Sequence, residues 1–490
     1  MYVVMVATEC SPVVQVGGLA DVVYGLSREL EIRGNAVEII LPMYESIRHD
    51  RIWGLSIAYN ELWVPWYGAA VHCVVYFGFV EGRKCFFIEP HSRDNFFRRP
   101  GTYGYGDDAM RFAFFSKAAL EFMLRANKRP DVIHCHDWPT GLLPVLLYDL
   151  YQHRGMHTQR VCFTVHNFRH QGQVGSEVLW ATGLGRPEHY FHYDRLRDNL
   201  NHGQLNLAKA GIVYSNFVTT VSERHRWEAA STDQNFGLGH TLWVHGDKFG
   251  GVLNGVDYDV WNPEIDPLIA RRYGVSSLND KYDNKRALRE RFWLRDGFRP
   301  IVAYVGRLDS QKGIDLLRYA LFYTLANGGQ FVLLGPSSDP AIERQFWQLK
   351  HELNDNPDCH LELRFDAELS HLIYAGADLL VVPSRYEPCG LVQMIALRYG
   401  TVPVVRAVGG LADTVFDRDY SHRPPHERNG FVFEHSDHWG VESALRRAFG
   451  LWHEYPGEFR ELMMNGMRSD YSWSRPGQDY MNIYHHIRHK

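Results

Sequence analysis

The chain of 490 residues has no apolar run long enough to cross a bilayer. Its best stretch, residues 141–150, is broken by Pro144 and Asp149 and falls well short of the ~18 apolar residues that a membrane helix needs. The short apolar run at residues 2–7 lacks a basic flank and is cut off by Glu9, so it reads as a first strand rather than a secretory leader. Cysteine is sparse and unpaired in pattern: seven residues, none in a Cys-x-x-Cys spacing, which excludes the usual structural zinc and thiol-exchange motifs and points to reduced, intracellular thiols. Basic excess is also missing. With 52 Lys+Arg against 57 Asp+Glu the formal charge is -5, the wrong sign for a protein whose main partner is a polyanion such as nucleic acid. Neither a Walker lysine loop nor a Gly-x-Ser-x-Gly elbow occurs.

What remains is a chain that is 45% hydrophobic and long enough for two or three domains. Short apolar runs alternate with longer amphipathic stretches, the mark of βα units around parallel sheets. One series predicts strands at residues 2–7, 37–41, 85–88, 132–135, 161–165 and 217–221. Between the first two, residues 21–33 carry apolar positions at Val22, Val23, Leu26 and Leu30 and stop at Gly34, as a helix with one buried face does. A second series predicts strands at 301–305, 331–334, 379–383 and 401–405. Turn residues around Asn254-Gly255 and Pro263 put the boundary near 254–265. The fold class is α/β, two doubly wound Rossmann-like domains with a cleft between them for substrate. Residues 1–258 form the first domain and 259–470 the second, while 471–490 add a helix whose Tyr480, Ile483, Tyr484 and Ile487 make one apolar face.

The chemistry-bearing residues fall at predicted strand ends. Gln15-Val16-Gly17-Gly18 joins a strand to a helix, where glycine amides and the helix terminus favour an anion. Arg307 and Lys312, five residues apart after the strand 301–305, offer two cations to a diphosphate. Glu387 follows the strand 379–383 and precedes a helix predicted over 391–399. In the first domain His134-Cys135-His136-Asp137-Trp138 ends one strand and His166-Asn167 follows another. Imidazoles and a carboxylate invite a metal reading, but alternate strand residues face opposite ways and no third ligand group is evident, so no metal is assigned. The short Asp-x-Asp patterns at Asp257 and Asp417 also carry none.

Taken together, Val16-Gly17-Gly18-Leu19-Ala20-Asp21, His134 to Trp138, His166-Asn167-Phe168, Asn254-Gly255-Val256-Asp257, Gly306-Arg307-Leu308, Gln311-Lys312-Gly313, Glu387-Pro388-Cys389-Gly390-Leu391 and Gly409-Gly410-Leu411 resemble the bacterial glycogen synthases and plant starch synthases. These are GT-B glucosyltransferases, and the resemblance covers essentially the whole chain. Phe168-Arg169-His170-Gln171-Gly172 and the tail from Tyr471 look closest to cyanobacterial second-type glycogen synthases and class III/IV starch synthases.

The resemblance implies ADP-glucose as donor, the non-reducing end of an α-1,4-glucan as acceptor, retention of configuration, no cofactor and a bacterial cytosolic setting, or a plastid one after loss of a transit peptide. Arg307 and Lys312 would hold the departing diphosphate beside Gly17 and Gly18, and Glu387 would face positive charge developing on glucose. His166 and Asn167 would bind that sugar, Asp137 would lie near the acceptor, Asn254 would line the cleft and Phe365 would stack on adenine. Cys389, Gly390, Leu391 and Val392 would border the phosphates. Two positions depart from the family pattern: Gln15 replaces a lysine and Val392 a threonine, each removing a polar contact to the donor. A glucan-binding or granule-initiating scaffold with weak catalysis, and a GT-B transferase of another specificity, are the alternative readings.

Overall fold

Strand β1 (Tyr2–Val6) is buried from Val3 onward on both faces, as a central strand of a parallel sheet must be. It belongs to a computed structural model that describes residues 1–489. The chain forms two units, one running from Met1 to Gly255 and including the tail from Trp473, the other Val256–Ser472. The divisions fall at 255/256 and 472/473 rather than the expected 258/259 and 470/471. The reason is local: Val256 N–H donates to Tyr471 C=O at 2.8 Å and Val256 bridges Ser472, which ties these residues into the second unit.

The first unit continues with β2 (Ala36–Pro42), β3 (Ile52–Trp66), β4 (Ala69–Val80), β5 (Arg83–Pro90), β6 (Val132–His136) and β7 (Arg160–Val165). A short pair, β8 (Gln173–Val174) and β9 (Leu205–Asn206), stands apart, and β10 (Phe217–Thr220) and β11 (Phe249–Gly251) complete the set. Nine strands form one sheet in the order β11-β10-β7-β6-β1-β2-β5-β4-β3. All neighbours are parallel except the antiparallel β5-β4-β3 edge. That edge hairpin was absent from the sequence expectation. Its turn is Tyr67-Gly68, with φ of 52° and 71°, so the usual Asn-Gly or Asp-Gly signal is missing.

The helix expected over 21–33 runs Gly18–Ile32, one turn earlier, because Gly17 caps it in an extended conformation. It ends where Gly34 takes φ +82° and its N–H reaches Glu31 C=O, a conformation costly for any residue with a side chain. At the other end of the chain, helix Ser474–Arg488 packs on the first unit. Tyr480, Tyr484 and Ile487 are fully buried there, and Ile483 is half-buried.

The second unit holds β12 (Ile301–Val305), β13 (Gln330–Leu334), β14 (Cys359–Glu362), β15 (Leu379–Val382), β16 (Val402–Arg406) and β17 (Phe431–Phe433). They form an all-parallel sheet in the order β14-β13-β12-β15-β16-β17. The winding of the parallel strands reverses between β1 and β6 in the first sheet and between β12 and β15 in the second. Loops leaving the carboxyl ends of strands diverge at such a point and open a ligand crevice. The candidate residues on the loops after β1, β6, β12 and β15 therefore flank the two reversals.

Candidate active site

In the first unit the loop after β1 brings Glu9 under the glycine turn. Its buried carboxylate accepts the N–H groups of Val16 (2.7 Å) and Gly17 (2.9 Å) and the Tyr103 hydroxyl (2.8 Å). A carboxylate buried at this point needs donors, and it takes the Gly17 N–H of the two glycines expected to border an anion. Gly18, the first helical residue, is exposed. Gln15 is exposed as well, and its amide donates to both Asp21 oxygens at 3.1 and 3.2 Å.

The loop after β6 starts at Asp137, whose φ of 59° and ψ of 173° are rare for a residue with a side chain, and such strain gathers at functional sites. Its carboxylate accepts His166 N–H at 2.7 Å, and its own N–H donates to Thr164 C=O. Asp137 thus braces the His166-Asn167 turn after β7. Burial pushes its carboxyl up to about 7, the amides of His166 and Asn167 pull it down, and the Glu9 carboxylate raises it further.

His166 Nε2 lies 3.1 Å from His136 Nδ1, and burial pushes His166 down to about 3, so the ring is neutral. Asn167 uses its side-chain oxygen to accept Arg169 N–H. Asn254, after β11, is buried, and its side-chain oxygen has no partner among the described residues.

In the second unit the loops after β12 and β15 are stitched together. Gln311 C=O accepts the N–H groups of Arg385 (2.7 Å) and Tyr386 (3.3 Å). This seats Lys312 Nζ at 2.5 Å from Glu387 Oε2, which also accepts the Ser384 hydroxyl at 2.9 Å. Of the two cations expected to face a diphosphate, only Lys312 is paired with Glu387 here. Lys312 neutralises Glu387, while Arg307 is exposed and lies 3.9 Å from Asp309.

The turn from Glu387 to Val392 is held from beneath. Gln393 Nε2 donates to Cys389 C=O, Gly390 C=O and the Thr414 hydroxyl. A Cβ on Gly409 would sit 1.9 Å from Glu387 O, and one on Gly410 would sit 2.1 Å from Cys389 O, so only glycine lets this backbone approach. Leu391 caps the helix Val392–Arg398, shorter than the expected 391–399. Phe365, 74% exposed just after β14, presents an open ring. Glu9, Ser384, Gln393 and Thr414 escaped the sequence reading. Only the Gly409-Gly410 pair carried a visible signal for this support.

Among the described residues no group of three His, Cys, Asp or Glu side chains is placed to hold a metal. Asp417 and Asp419 instead bind the Arg447 guanidinium. No described helix is long and apolar enough to cross a membrane.

Two doubly wound units in one chain, each with polar and charged loops at its strand-order reversal, define a glycosyltransferase of the GT-B class. Residues 2–244 match the starch synthase catalytic domain family, and residues 287–452 match glycosyl transferases group 1. The chain is 64% identical to glycogen synthase 2 of Methylococcus capsulatus, over 99% of this chain and all of the relative. It is 62% identical to glycogen synthase 1 of Synechococcus sp. (strain JA-3-3Ab) over the full length of both. The structure of the catalytic domain of starch synthase IV from Arabidopsis thaliana, bound to ADP and acarbose, matches with 41% identity and a TM-score of 0.97, covering 100% of this chain and 99% of that one. The chain belongs to the glycogen and starch synthase family.

Proposed function

We propose that the protein transfers glucose from ADP-glucose to the non-reducing end of an α-1,4-glucan with retention of configuration. The Lys312–Glu387 pair carries this reading, because it places a cation and a carboxylate at the strand-order reversal of the second unit. In the reaction the bond from glucose C1 to the β-phosphate oxygen breaks, and the glucan O4 bonds to C1. The proton of that hydroxyl leaves with the phosphate. Negative charge grows on the departing diphosphate while positive charge grows on the sugar.

Arg307 and Lys312 meet the diphosphate, and as Lys312 turns to it, Glu387 is left to face the sugar cation. Gly18 and the turn from Cys389 to Val392 border the phosphates, and Phe365 stacks on adenine. His166, Asn167 and Asn254 hold sugar hydroxyls, and Asp137 fixes the turn that carries the first two. These contacts are electrostatic or positional and use no redox or covalent chemistry. The bacterial cytosol is the setting. The 41% identity to a protein solved with ADP and acarbose supports this choice of donor nucleotide and glucan-like acceptor.

The test is ADP release from ADP-glucose with and without glycogen or maltooligosaccharide, run with and without EDTA. Glucan-dependent, EDTA-insensitive release is the expected result. Release that EDTA abolishes and Mg²⁺ restores contradicts the role given to Arg307 and Lys312. A scaffold with little catalysis, the alternative suggested by Gln15 and Val392, would bind glucan and release no ADP.

A further inference from the structure

The end of β6 carries a buried histidine to which the proposed reaction gives no role. His136 is fully buried, its ring centroid 4.1 Å from that of His134, and its Nδ1 lies 3.1 Å from Nε2 of His166. Its other nitrogen, Nε2, is buried with no hydrogen-bond partner among the described residues. His134 cannot supply one. Both its nitrogens are engaged, Nδ1 with the Tyr484 hydroxyl and Nε2 with the Thr164 hydroxyl, each at 2.7 Å.

A neutral imidazole holds one proton, on one nitrogen or the other. Burial lowers the basicity of both His136 and His166, so both rings are neutral near pH 7. Two arrangements then satisfy the 3.1 Å contact. If His166 donates from Nε2, His136 Nδ1 is the acceptor, and the single proton of His136 must sit on Nε2 as a buried N–H with nothing to accept it. If His136 donates from Nδ1, its Nε2 is only a bare lone pair. Orphaned buried N–H groups are the rarer defect and carry the full desolvation penalty of an unmade bond. The second arrangement wins.

We infer that His136 is a positioning residue: it donates from Nδ1 to His166 Nε2 and so fixes His166 in the tautomer protonated on Nδ1. The partly exposed His166 ring then offers an N–H donor, suited to a hydroxyl oxygen of the transferring sugar, and cannot offer an acceptor. This use of the donor rests on the sugar-binding role proposed for His166. The tautomer itself does not.

Two measurements separate these layers. Long-range ¹H–¹⁵N correlation spectra of the full-length, ligand-free protein with labelled histidine report each ring's tautomer, with His166 assigned by loss of its signals in His166→Gln. The expected result is a protonated Nδ1 and an unprotonated Nε2 on His166. A protonated Nε2 overturns the inference.

In kinetics, His136→Asn keeps an amide N–H close to the position of Nδ1, whereas His136→Leu removes the donor. We expect kcat to fall about tenfold in the leucine variant and to stay within about threefold of wild type in the asparagine variant, with the ADP-glucose KM little changed in both. Equal losses in the two variants mean that His136 only fills space and overturn the inference. The Nδ1 tautomer found in a protein that releases no ADP supports the His136–His166 assignment and counts against the transferase reading alone.

Discussion

Replacing Glu387 by glutamine separates the two duties that the structure gives this carboxylate. Glutamine keeps the shape and one acceptor oxygen for Ser384, but it removes the charge that Lys312 neutralises and that the sugar cation would meet. Two unit charges about 4 Å apart interact by roughly 4 kcal/mol at an effective dielectric of ~20, which bounds the contribution from above. Removing one preorganised group from a developing charge costs ~3 kcal/mol in other enzymes, so kcat should fall about 100-fold or more.

Donor affinity should move the other way. Lys312 no longer has a carboxylate competing with the diphosphate, so ADP-glucose should bind as tightly as in the wild type or more tightly. Fold stability should change little, because the Lys312 side chain is 21% exposed and can reach water. A loss of about 1 kcal/mol, or roughly 2–4 °C in Tm, is expected. Single-turnover rates, ADP-glucose titration by calorimetry and a thermal melt measure the three quantities. A donor affinity that collapses while kcat survives would refute the assignment, since Glu387 would then act in binding rather than against the transition state.

Three further outcomes follow from the first unit. Gln15→Lys should raise kcat by up to about tenfold, limited by the pull of Asp21 on the new ammonium, and Gln15→Glu should lower it; identical turnover and donor affinity for all three residues would separate this loop from the diphosphate. Asp137, with its carboxyl raised to about 7, binds its proton more tightly in the folded chain than in the unfolded one, where carboxylates titrate near 4. Its contribution to stability is therefore lost as pH rises through that window and levels off above it, and Asp137→Asn should flatten this part of the Tm profile between pH 4 and 8. Truncation after Ser472 strips Tyr480, Tyr484 and Ile487 from the first unit at ~1.5–3 kcal/mol each, so proteolysis should attack that unit before the second; unchanged protease resistance of the first unit would reject this.

Much of this was legible in the sequence because it is written locally. Apolar runs at residues 301–305 and 379–383 and the loops that follow them identify strand ends, and strand ends in parallel sheets are where ligands bind. What was not legible depends on strand order. Lys312 and Glu387 are 75 residues apart in sequence and meet because β15 returns to lie beside β12. The same holds for His136 and His166, brought together by neighbouring strands β6 and β7. Glu9 read only as the residue that ends the first apolar run, yet its carboxylate folds forward to take the Gly17 amide, a contact with no periodicity to announce it. The β3–β4 hairpin was hidden for a simpler reason, a turn built on Tyr67 in place of asparagine or aspartate.

The central claim, glucosyl transfer from ADP-glucose to an α-1,4-glucan end, is tested most directly by following the sugar. The purified protein is incubated with ADP-glucose radiolabelled in its glucose and with glycogen, and the washed polymer is digested with β-amylase, which removes maltose from non-reducing ends through α-1,4 bonds. The account predicts polymer-bound label released as maltose. Label that stays out of the polymer, or that enters it and resists the digestion, contradicts it.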